Sequence, residues 1–111
     1  MANIYTNAKV DLTTTDATTL YTTPSNSRAI VKSLLISNDA GSAATITVTL
    51  TNAASAVFSL FNVKSIASNT TNQLLTEPLI LLENEILKVT ASDANELHAV
   101  ASLLEINRED I

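Results

Sequence analysis

The chain has 111 residues, 46% of them hydrophobic and 15% charged, a formal net charge of −5, one glycine, two prolines, two tyrosines, two phenylalanines and neither tryptophan nor cysteine. A lone Gly41 excludes glycine-rich phosphate loops and the glycine-flanked nucleophile elbow, which need several glycines each. Without cysteine there are no disulfides and no thiolate zinc sites, and six scattered basic residues against eleven acidic ones argue against a nucleic-acid surface.

This length implies one domain around one core. No apolar run reaches the roughly 20 residues of a membrane span, and the opening MANIYTNAKVDL has neither a basic leader nor an apolar stretch of the export type. Sixteen threonines, eleven serines and eleven asparagines favour strands and turns over helix interiors, so the chain is expected to be all-β.

Residues 1–16 are polar and read as an extended N-terminal arm that reaches a neighbouring subunit or another protein of the same assembly, ahead of a sandwich domain over 17–111. Within the arm, 4–12 is a weak strand candidate, followed by another at 19–23. Residues 27–38 (SRAIVKSLLISN) are long and β-branched between a Pro24 turn and the cluster Asn38-Asp39-Ala40-Gly41-Ser42, the pattern of a central strand. In 44–52, Ile46, Val48 and Leu50 alternate with Thr45, Thr47, Thr49 and Thr51, which is the period of a half-buried antiparallel strand. The Thr face suits either water or another chain. These two strands are expected to form a hairpin, with Gly41 supplying its turn.

Further strands are expected at 56–63, 72–75, 79–82, 86–91 and 97–106. For the last, helical and strand periodicities fit equally, and the all-β context selects strand. Turn clusters recur every 8 to 12 residues or so, the spacing of a single-domain antiparallel β-sandwich of about eight strands. The terminal run with Arg108, Glu109 and Asp110 is expected at the surface.

No residue set qualifies as a catalytic, cofactor or metal site. His98 is the one histidine, with no Ser or Cys in a nucleophile context and no second histidine for a metal, so a packed or interfacial, pH-sensitive role is expected of it. A catalytic cluster would need His98 beside two carboxylates, which the intervening turns separate. Glu83 and Glu85, and Asp93, Asn95 and Glu96, carry oxygen ligands suited to calcium but lack the glycine of a calcium loop, so they read as turns. Asn69-Thr70-Thr71 matches the N-glycosylation triplet and reads likewise as a turn. Tyr5, Tyr21, Phe58 and Phe61 are all the aromatics available to wall a sugar cleft, and both phenylalanines are expected in the core. A carbohydrate- or receptor-binding module would need Tyr5 or Tyr21 exposed in a groove.

The run Leu20-Tyr21-Thr22-Thr23-Pro24 with Arg28-Ala29-Ile30-Val31-Lys32-Ser33, the stretch from Glu77-Pro78 through Glu83-Asn84-Glu85 to Val89, and the closing Leu103-Leu104-Glu105-Ile106 resemble small tailed-bacteriophage virion proteins over residues 19–106. Asn84 stands where that pattern has a glycine, and asparagine is the usual substitute at a positive-φ turn position. The resemblance implies a jelly-roll-like β-sandwich serving in the virion without enzymatic activity or cofactor. It implies a capsid decoration (cement) protein, or a tail, neck or fibre-associated adaptor. It also implies contacts with the major capsid protein or other virion proteins, self-association commonly as a trimer, no membrane or nucleic-acid partner, and assembly in the host cytoplasm.

Overall fold

A computed structural model describes residues 3–107, arranged as nine strands in two antiparallel sheets with no helix among them. The strands are β1 (Ile4–Asp11), β2 (Thr18–Thr22), β3 (Ser27–Asn38), β4 (Ala44–Thr51), β5 (Val57–Ile66), β6 (Thr70–Gln73), β7 (Leu79–Leu81), β8 (Ile86–Ala91) and β9 (Leu97–Asn107). Sheet A runs β1-β9-β3-β6 with β7 also on β3, and sheet B runs β2-β8-β4-β5. β6 and β7 flank different halves of β3, at Leu35–Asn38 and Ala29–Val31, and act as one interrupted strand. Counted so, eight strands divide between two four-stranded sheets in the order of a jelly roll.

The core lies between the sheets. Ala29, Val31, Leu34 and Ile36 from β3 and Leu97, Ala99, Ala101 and Leu103 from β9 face Ile46 and Val48 from β4 and Leu87 and Val89 from β8, all buried. β9 therefore alternates with period 2, as expected of a strand. Its two interior alanines and two interior leucines fit the inter-sheet gap without aromatic bulk, which explains how so few aromatics suffice.

Three expectations are corrected. The strands β3 and β4 do not form a hairpin: β3 pairs β9, β6 and β7, while β4 pairs β5 and β8. Residues 39–43 form an arch between sheets, because Leu97–Asn107 outcompetes β4 for the β3 edge over eleven paired residues. Gly41 consequently has no positive φ, and a Cβ added there meets nothing within 4 Å. Gly41→Ala is expected to leave stability unchanged or raise it by about 0.4–1 kcal/mol through the unfolded chain's lost freedom; a loss above about 1 kcal/mol in urea unfolding would contradict this conformation.

The second correction concerns the N-terminus. Residues 4–11, expected in an arm on a neighbouring subunit, are β1, paired with β9 of the same chain from Ile4 opposite Glu105 to Asp11 opposite His98. The alternation of Ala8 and Val10 against exposed Lys9 and Asp11 directs two side chains inward, so the sandwich begins at β1 and not at residue 17. Third, Phe58 is 53% exposed on the outermost strand of sheet B, and only Phe61 packs against the core. Arg108, Glu109 and Asp110 lie outside the described residues.

Asparagine does the turn work anticipated for it. Asn84 (φ 65°), Asn95 (φ 63°) and Asn69 (φ 55°) all adopt the left-handed region, where asparagine is tolerated and most side chains are strained. β5, an edge strand, is irregular: its register against β4 shifts twice, and Val63 has φ 52° with its N–H donating to Thr47 Oγ1 at 3.1 Å. Bulges of this kind interrupt the ladder that an open edge would offer to another strand.

Candidate functional site

The connections β1–β2, β3–β4 and β8–β9 gather at one end of the sandwich, and His98 sits beside them as the second residue of β9. Its Nδ1 is 3.2 Å from Asp11 Oδ1 and its Nε2 is 3.3 Å from Asp39 Oδ2, with the side chain 37% exposed. The topology brings these three together: β1 and β3 flank β9, and β3 delivers Asp39 at the start of the arch. This corrects the expectation that turns keep His98 apart from two carboxylates. No sequence spacing signals the cluster, since its members are brought together by non-local pairing alone.

The cluster is built as a clip. Each ring nitrogen faces an aspartate oxygen, so one side chain on β9 links β1 on one side to the β3–β4 arch on the other. A shallow hollow of about 300 Å³ adjoins it, lined by Lys9, Val10, Asp11, His98, Ala99 and Val100. Among the described residues no group of three or more His, Cys, Asp or Glu side chains is placed to hold a metal ion.

The other acidic candidates close turns. Glu85 Oε1 accepts the N–H of Leu82 at 2.8 Å while the Glu85 N–H donates to the Leu82 carbonyl at 3.1 Å, and Asn84 N–H donates to Thr23 O. Glu96 Oε1 accepts from Ser42 Oγ at 2.9 Å, tying the β8–β9 turn to the arch, and Asn95 N–H donates to Leu12 O. Asp93 lies in the same β8–β9 turn. Asn69 occupies the β5–β6 turn, where Thr70 Oγ1 donates to Ala67 O.

Neither tyrosine stands in a sugar cleft. Tyr5 is 74% exposed on the open outer face of sheet A. Tyr21 is half-buried and donates its hydroxyl to Glu105 Oε2 at 2.6 Å, linking sheet B to sheet A. A hollow of about 490 Å³ between β5 and β6 includes Phe61, Lys64, Asn72 and Gln73, but Phe61 is spent on the core and Gln73 Oε1 accepts the Leu34 and Leu75 N–H groups.

Burial, then the hydrogen bond and negative charge of Glu105, push the Tyr21 phenol well above its ordinary value. The native state therefore holds this proton more tightly than the unfolded chain does. The resulting stability is complete below about pH 10, the unfolded tyrosine value, and is lost as pH rises above it. Tyr21→Phe is expected to abolish the late phenolate step in an absorbance titration and to flatten the alkaline fall in stability; an unchanged titration would refute the bond.

The two outer faces differ in chemistry. On sheet B, Thr45, Thr47, Thr49 and Thr51 form a half-buried stripe, with Thr47 beside Thr90 and Thr49 beside Lys88. On sheet A, the register places Tyr5 beside Leu104, Leu104 beside Ile30 and Ile30 beside Ile80, an apolar row across four strands.

No family model matches the chain, and no curated protein does. Solved structures do match it. A chain from the acid-stable capsid of Helicobacter pylori bacteriophage KHP30 superposes with a TM-score of 0.59 at 11% identity, covering 97% of this chain and 90% of that one. A subunit of Bacillus endospore appendages, described as disulfide-linked pili, gives 0.59 at 10% identity over 96% and 88%. The infectious bursal disease virus T13 particle gives 0.60 at 9% identity over 96% of this chain and 31% of that one. The shared feature is the fold: these neighbours are viral capsid and pilus proteins built on a β-sandwich.

Proposed function

We propose that this chain is a non-enzymatic structural protein of a tailed-phage virion, acting as a capsid decoration (cement) protein that stabilises the head through contacts between subunits and with the major capsid protein. One observation carries the reading: the jelly-roll order of strands spans nearly the whole described chain and is matched over nearly the full length of both partners by the KHP30 capsid chain. The pilus neighbour supports a structural role in general, but those pili are disulfide-linked, and these 111 residues contain no cysteine. Self-association, with a trimer favoured, would cover apolar outer surface at about 25 cal/mol per Å².

The placement of His98 between Asp11 of the edge strand and Asp39 of the arch supports a role in holding the fold together over one in chemistry. The place of action is the virion, reached by assembly in the host cytoplasm. Cryo-EM of purified particles, with copy number from quantitative mass spectrometry, tests this. Regularly spaced head density in high copy is expected; density confined to the tail or neck would replace the decoration role with that of a tail adaptor, and absence from particles would overturn the virion reading.

A further inference from the structure

The outer face of sheet A combines exposed apolar groups with positive charge. Around the row Tyr5, Leu104, Ile30 and Ile80, Tyr5 is 74% and Ile80 53% exposed. Leu35 and Leu82 are exposed nearby. A contiguous apolar surface of this sort marks an interaction site. Arg28 and Lys32, both exposed, come from β3 in the middle of this sheet. Lys32 is the extra residue where the β3–β9 register shifts, and its Nζ reaches across β9 to lie 5.7 Å from the centroid of the Tyr5 ring. The bulge thus aims a cation onto the apolar row.

The complementary surface is on the same molecule. The β1–β2, β3–β4 and β8–β9 connections carry Asp16, Asp39, Asp93 and Glu96 and contain no lysine or arginine. Asp39 follows the far end of β3, about 35 Å along the strand from Arg28 and about 23 Å from Lys32 at about 3.3 Å per residue. The basic face and the acidic end are therefore separate patches. Two copies meeting face to face would oppose Arg28 and Lys32 to their own equivalents, a like-charge arrangement that disfavours association. A contact of end on face sets opposite charges together.

We infer that the outer face of sheet A, from Tyr5 to Ile80 with Arg28 and Lys32, receives the acidic loop end of a second copy of this chain. Such a contact is heterologous: each copy offers one face and one end, so it closes into a ring or continues as a filament. This deepens the assembly reading above and rests on it for its biological setting. It is tested on the purified chain, so absence from virions would sink that reading while this contact stood, and a monomeric chain would sink the contact while the virion role stood.

The experiment is sedimentation velocity on the full chain. Self-association is expected, weakening as salt rises from about 0.05 to about 0.5 M. Arg28→Glu with Lys32→Glu is expected to weaken it at least 100-fold, and so is Asp16→Lys with Asp93→Lys at the other patch. Mixing the two double variants restores opposite charges and is expected to restore association. Circular dichroism melting confirms that each variant folds, and Lys32→Gln serves in place of a reversal that does not. A wild-type chain that stays monomeric at low salt, a face variant that associates like wild type, or a mixture that fails to reassociate would each overturn the inference.

Discussion

Ile46→Ala is expected to destabilise the protein by about 2–4 kcal/mol, whereas Thr49→Ala, three residues on in the same strand, costs about 1 kcal/mol or less. Ile46 is fully buried between the sheets, beside Ala91 in the register of β8. Truncating it leaves a cavity that close-packed strands cannot collapse to fill. Thr49 faces outward between Lys88 and Ser59, so its loss removes only strand preference and a cross-strand contact. Urea unfolding of the two variants gives both values from one measurement. Equal losses would mean that the alternation of β4 does not divide core from surface, and the arrangement of sheet B would fall with it.

Asn38→Ala is expected to cost about 2–4 kcal/mol, although it removes no hydrophobic group. Asn38 is 2% exposed at the end of β3. Its Nδ2 donates to Ser42 O at 2.9 Å and to Ile66 O at 3.3 Å, and its Oδ1 accepts from Ala40 N–H at 2.9 Å. One side chain therefore satisfies three backbone groups of the arch and of β5. Alanine leaves them partnerless in a site with little access to water, and a buried unmade hydrogen bond costs more than a made one contributes. Asn38→Asp tests the same geometry differently, since a carboxylate keeps the bond from Ala40 and loses both donors. It is expected to be at least as damaging as Asn38→Ala in thermal unfolding; a wild-type melting temperature for either variant would show that the arch holds without these bonds.

The strands themselves were legible because alternation is local. Ile46, Val48 and Leu50 against four threonines declare two faces within eight residues, and Leu97, Ala99, Ala101 and Leu103 resolve as a strand once the chain is known to be all-β. The turn at Asn84 was equally readable, since the left-handed backbone there restricts which residue types fit. The partner of each strand was less accessible. β3 followed by a short polar link and β4 reads as a hairpin, and nothing within those residues shows that a segment sixty residues later takes the place beside β3. The clip of Asp11, His98 and Asp39 was hidden for the same reason. Phe58 was misplaced because hydrophobicity alone does not tell an interior strand from the outermost strand of a sheet.

Residue by residue, the amino-acid sequence determined an all-β chain, the faces of its strands, its asparagine turns and the absence of a phosphate loop or thiolate site, all of which depend on composition and on neighbours a few positions away. The tertiary structure alone decided that β3 and β4 belong to different sheets and that Gly41 is dispensable for its conformation. It alone decided that an apolar face with Arg28 and Lys32 lies on one sheet and that three acidic connections gather at one end of the sandwich. Those outcomes depend on which distant segments win the competition for each strand edge, and that competition is settled by packing and hydrogen bonding across the whole sandwich.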